Sequence, residues 1–147
     1  MFEYRFGIKL KTVTANAAIL KLMRKHFPNM AFSELSEKIK AHDYIYLTDT
    51  KKDHAFEKRK LLKLLKDFDK LGLETELFKE KRYTPASWNA VPMSRELLYN
   101  SVQQSKEIHR ETLLDIERET EGFVSQEAVK DIEDEIKDEW ENEEQTI

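Results

Sequence analysis

The sequence predicts an α+β fold, a β-α-α-β-α-β core with a three-stranded sheet, followed by a C-terminal helical hairpin. Three observations carry that prediction. Phe2, Tyr4, Phe6, Ile8 and Leu10 alternate with Glu3, Arg5, Gly7, Lys9 and Lys11, the period of two that writes a strand with one dry face. Phe56, Leu61, Leu64, Leu65, Phe68 and Leu71 recur at helical spacing. Only 3 Gly and 3 Pro occur in 147 residues, and long stretches free of both favour helix.

After the first strand, Ala17, Ile19 or Leu20, Met23 and Phe27 step at helical spacing, with Thr14 or Asn16 as cap and Pro28-Asn29 as stop. The dry stripe is expected to run through Ala17, Leu20, Met23 and Phe27. A shorter helix opens at Phe32-Ser33, with Ser33 as the capping residue and Leu35 and Ile39 facing inward. Tyr44 to Thr48 is aromatic and β-branched and predicts the second strand. The third helix runs from Asp53, a natural N-cap, to Leu71, with Gly72 at the C′ position. Leu73 to Glu80 alternates again and predicts the third strand.

Residues 1–82 are therefore expected to form the core. The stretch 83–93 holds two of the three prolines and is expected to be a connector, packed on the core because Tyr83, Trp88, Val91 and Met93 are too apolar for a free linker. Residues 94–147 are expected to form an acidic helical extension. Ser94 caps a long helix with a thin stripe of Leu98, Val102, Ile108, Leu113 and Ile116, and Gly122 ends it. Ser125 caps a last helix, in which Val129, Ile132, Ile136 and Trp140 share one face. The remainder, "ENEEQTI", is expected to fray.

Apolar residues make up 39% of the chain and charged residues 37%, a foldable but highly charged composition. The absence of Cys excludes disulfides, thiolate nucleophiles and Cys-ligated zinc. The N-terminal "MFEYRFGIKLK" has no apolar h-region, and no segment reaches 18 apolar residues, so no membrane association is expected and the expected location is the cytoplasm. A net charge of −4 conceals an asymmetry: residues 1–82 hold 19 Lys+Arg and 12 Asp+Glu, whereas residues 83–147 hold 6 and 17. The basic half suits phosphate or an acidic partner, and the acidic half suits a basic one.

No catalytic signature is present. His26, His42, His54 and His109 stand singly, without metal-ligand spacing, and the three glycines lie too far apart to build a phosphate-binding loop. A hydrolase would need a pocket lined by helical carboxylates such as Glu107, Glu111 and Asp115. At this composition such carboxylates read as solvated surface. No enzyme activity, cofactor or metal is expected.

Interaction surfaces are more legible. Arg59, Lys63, Lys66 and Lys70 recur at four, three and four residues, on a face opposite the leucines. They read either as a solvated face or as a site for an acidic partner or nucleic acid. Lys21 and Arg24 lie beside the stripe of the first helix. In the last helix Val129, Ile132, Ile136 and Trp140 form an apolar stripe amid Asp and Glu, with Trp140 the strongest anchor for a protein partner or a homodimer.

The segments "AILKLMRKHFPNMAFSELSEKI" and "KRKLLKLLKDFDKLGLETELFK" carry a resemblance. Residues 4–80 resemble the C-terminal domain of the bacterial ribosomal stalk protein L7/L12, whose fold is shared with the Clp protease adaptor ClpS. The resemblance implies a β-α-α-β-α-β fold and a protein-docking face on the first two helices. Leu20, Lys21 and Arg24 fall on matching positions of that face. Asn16 and Ser36 stand where the family carries lysines, and Pro28-Asn29-Met30-Ala31 replaces its turn glycines. The combined expectation is a non-enzymatic protein-interaction module of adaptor, inhibitor or immunity type. The alternative is a nucleic-acid-binding regulator that uses the basic third helix, with the acidic arm as dimeriser or autoinhibitor.

Overall fold

A computed structural model describes residues 2–140, and the expectation for "ENEEQTI" lies outside the described residues. Nine elements follow in order: β1 (Phe2–Leu10), α1 (Ala17–His26), α2 (Phe32–Lys40), β2 (Tyr46–Leu47), α3 (His54–Lys70), β3 (Thr75–Tyr83), β4 (Asn89–Met93), α4 (Arg95–Glu121) and α5 (Gln126–Trp140). They form two compact units that divide after Leu98. No described helix is long and apolar enough to cross a membrane.

The sheet has four strands, not three, in the order β2-β1-β3-β4, and every pair is antiparallel. The fourth strand lies inside the stretch expected to be a connector. Pro92 obscured it, because a proline lowers the strand signal; an edge strand, however, needs only one row of ladder hydrogen bonds and tolerates Pro there. β3 also runs three residues past its expected end, since Arg82 and Tyr83 pair with Glu3 and Phe2.

Register sorts the strand residues onto two faces with different chemistry. Phe6, Ile8 and Leu10 share a face with Leu77 and Met93, all buried beneath the helices. The opposite face carries Glu3, Arg5, Gly7 and Lys9 across from Arg82, Glu80, Phe78 and Glu76. There Arg5 pairs with the buried Glu80 at 2.6 Å, and Tyr44 donates its hydroxyl hydrogen bond to the same carboxylate at 2.9 Å. The guanidiniums of Arg5 and Arg82 both lie over the Trp88 ring, at 4.1 and 4.3 Å from its centroid.

The helix ends follow their capping chemistry. Asn16 accepts from the Ile19 N–H at 2.9 Å, Asp53 from Ala55 at 2.9 Å, Ser94 from Leu97 at 3.1 Å and Ser125 from Ala128 at 3.1 Å. Gly72 and Gly122 take φ of 71° and 80° just past α3 and α4, the left-handed conformation that a C′ glycine supplies without steric cost. Ser33 does not cap α2: the helix begins at Phe32, with Ala31 at the N-cap position and no side-chain bond there.

Four stripes differ in part from expectation, since Phe56 and Leu71 at the two ends of the α3 stripe and Val129 of the α5 stripe are exposed, and those of α1 and α4 also depart from it. α1 buries Ile19 and Met23 and leaves Ala17 exposed and Leu20 half-buried, because its inward face is rotated toward Ile19. In α4, Leu98 and Val102 are buried, but Ile108 and Ile116 are exposed. β2 is also shorter than the expected strand over 44–48, although Ile45 and Thr48 still donate to the Ile8 and Phe6 carbonyls at 2.8 Å. The core of the first unit centres on Leu61, Leu64, Leu65 and Phe68 of α3, packed toward β1. Truncating one such side chain to Ala costs about 2–5 kcal/mol.

Candidate interaction surfaces

The first candidate surface is on α1. Lys21 is exposed and Leu20 half-buried. Arg24 is engaged within the fold: its Nε donates to the Pro28 carbonyl at 3.2 Å, and its guanidinium lies 4.9 Å from the Phe32 ring centroid. Arg24 thereby braces the α1–α2 turn that has no glycine.

The basic stripe of α3 divides into two parts. Lys66 and Lys70 are exposed. Arg59 is half-buried beside Phe56, 5.5 Å from the ring centroid, and Lys63 is half-buried near His26. His26 of α1 meets Asp67 of α3 at 2.7 Å, with both side chains largely buried. Burial holds the His26 imidazole below its ordinary pKa; the Asp67 carboxylate opposes that shift, while Lys25 and Lys63 add to it. Cations of α1 and α3 thus converge on one neighbourhood.

In the C-terminal hairpin, Ile132 and Ile136 are buried within the single chain. They are therefore not offered to a partner in this conformation. Val129 is exposed, and Trp140 is half-buried, its indole N–H donating to His109 Nδ1 at 3.0 Å. Arg110 binds Glu133 at 2.7 Å and also pairs with Glu107, tying α4 to α5 and holding its guanidinium charged. Asp115 pairs with Arg118 at 2.9 Å, and Glu107, Glu111 and Asp115 are all exposed surface groups. His109, Glu135 and Glu139 bring three potential metal-ligand atoms within 4.8 Å of one another. The His109 nitrogen facing Glu139 already accepts the Trp140 indole, and Glu135 faces water.

One surface was missed by sequence reasoning. At the β1 start and β3 end, Phe2 and Tyr83 pair edge to face with centroids 5.4 Å apart, and they are 52% and 68% exposed. Tyr4, Lys79, Lys81 and Val91 continue the same sheet face. The signal was present in the alternation of Lys79, Lys81 and Tyr83. It becomes readable only when Leu77 is placed inward. Comparison with protein-family models, with curated proteins and with solved structures finds no match for this chain.

Proposed function

We propose that this chain is a non-enzymatic protein-interaction module whose acidic C-terminal helices dock on a basic protein surface that carries an apolar recess. The observation that carries this reading is the exposure of Ile108 and Phe123, 67% and 65%, with Ile116 also open, in a half of the chain where carboxylates outnumber cations 17 to 6. Large apolar side chains ringed by like charge suit a partner that supplies both a dry pocket and the opposite charge. The likeness of residues 4–80 to the stalk-protein domain supports a second docking face at Leu20 and Lys21.

The test is affinity capture with the full chain beside an Ile108→Lys/Phe123→Lys variant that melts at the same temperature. The expected result is a partner with a basic surface, released by salt and lost by the variant. Equal capture by both chains would refute the arm as the contact surface. Light scattering that shows a dimer abolished by the same variant would identify the partner as a second copy.

A second reading, nucleic-acid binding through α3, is supported by the exposed Lys66 and Lys70 and the nearby cation of Lys63. Lys66→Glu/Lys70→Glu should then abolish binding of a duplex oligonucleotide at low salt.

A further inference from the structure

We infer that the uncovered end of the helix-facing sheet surface is a stacking platform for a single-stranded nucleic acid. The inference starts from the register. Every Asp and Glu within the described strands, Glu3, Glu76 and Glu80, stands on the opposite face of the sheet. The helix-facing side carries Phe2, Tyr4, Lys79, Lys81, Tyr83 and Val91, and none of these strands places a carboxylate there. Helices bury this face from Phe6 to Leu10 and stop short of its other end, where Phe2, Tyr83 and Val91 emerge. The result is a sheet surface that is cationic and aromatic at once.

The arrangement of the groups is specific. The Phe2 and Tyr83 rings hold each other edge to face, so part of their π-surface remains open to solvent. Lys79 Nζ lies 5.1 Å from the Tyr4 ring centroid, and Lys58 Nζ lies 5.8 Å from the same ring. The Tyr4 ring thus holds the half-buried Lys79 and the buried Lys58, and His54 packs on it at 5.3 Å between centroids. Lys81, opposite Tyr4 in the register, is exposed.

Charge complementarity selects a polyanion, because the strand cations here have no acidic strand neighbour on their own face. Protein interfaces generally deplete Lys from their centres, whereas single-stranded nucleic acid presents phosphate and flat bases together. Exposed rings bordered by lysines match both features without requiring sequence-specific contacts. A duplex keeps its bases stacked inside and offers the rings nothing. Its residues are other than Lys66 and Lys70 of α3.

The experiment is fluorescence anisotropy of labelled oligouridylate, oligothymidylate and a duplex of mixed sequence against the full chain, repeated over a salt series. The expected result is binding of both single strands in preference to the duplex, weakening with salt. Phe2→Ser/Tyr83→Ser should weaken single-strand binding by roughly tenfold or more while leaving the salt slope unchanged. Lys79→Gln/Lys81→Gln should make the slope shallower by about 0.7 for each phosphate that is no longer neutralised. Both pairs include exposed positions, and a melting curve of each variant separates loss of binding from loss of fold. The inference is overturned if no oligonucleotide binds at low salt, if the duplex binds as tightly as the single strands, or if the Phe2/Tyr83 variant binds normally. Binding abolished only by Lys66→Glu/Lys70→Glu would move the site to α3 and overturn it. Polyglutamate competing as well as oligouridylate would overturn it in favour of an acidic peptide.

Discussion

Asp67 accepts a 2.7 Å contact from His26 and so joins α3 to α1 where both helices carry lysines. Because burial lowers the His26 pKa below its ordinary 6.5, the folded protein binds fewer protons there than the unfolded chain. The stability held by neutral His26 is therefore complete above that value and declines as pH falls through the folded-state pKa. Thermal melts between about pH 5 and 7 should show the melting temperature falling with acid more steeply in the parent than in His26→Gln. Parallel profiles would remove His26 from the account.

Gly7 is required by a close approach. A Cβ there would lie 2.5 Å from a Tyr44 ring carbon and 2.7 Å from a Leu47 methyl. The Tyr44 ring cannot easily yield, since its hydroxyl is bonded to Glu80 and the ring packs perpendicular to Phe78 with centroids 5.9 Å apart. Gly7→Ala should cost about 1–3 kcal/mol in urea denaturation. A neutral result would mean that Tyr44 is held loosely.

Glu57 is 1% exposed and accepts from the Tyr46 hydroxyl at 2.6 Å and the Asp49 N–H at 2.7 Å. It ties the exit of β2 to the first turn of α3, and together with burial it raises the Tyr46 phenol pKa. Glu57→Ala leaves two donors without their acceptor, at about 1–3 kcal/mol for each one stranded. Glu57→Gln, which retains an acceptor oxygen, should lose clearly less. Equal losses for the two variants would argue against the hydrogen bonds as the source.

Ile136 and Val129 belong to the same expected stripe, but the chain uses them differently. Ile136→Ala should destabilise by about 2–5 kcal/mol, because the side chain is 1% exposed. Val129→Ala should change stability by no more than about 0.5 kcal/mol, as its side chain lies open. Urea titration followed by circular dichroism separates them. Similar effects at both positions would contradict the burial difference.

Local signals predicted much of the architecture because the same side chains create the elements and announce them. Asn16, Asp53, Ser94 and Ser125 cap where capping residues should, and Gly72 and Gly122 end helices where a left-handed residue is needed. Ser33 failed as a cap because Phe32 already begins the helix. β4 was hidden because Pro92 suppresses the strand pattern, and only its pairing with Phe78 reveals an edge strand.

By itself, the sequence determined the alternation of β1, the leucine face of α3, the helical character of the acidic half and the absence of cysteine chemistry, since each is a property of residue type and short-range spacing. Tertiary structure alone decided which cations and rings keep company. Arg24 turns to Pro28 and Phe32, Lys63 approaches His26, Ile132 and Ile136 are withdrawn from solvent, and Phe2 meets Tyr83 from the far end of a strand distant in the chain. The physical reason is that long-range strand register and helix rotation set these contacts, and neither is encoded in any window shorter than the fold.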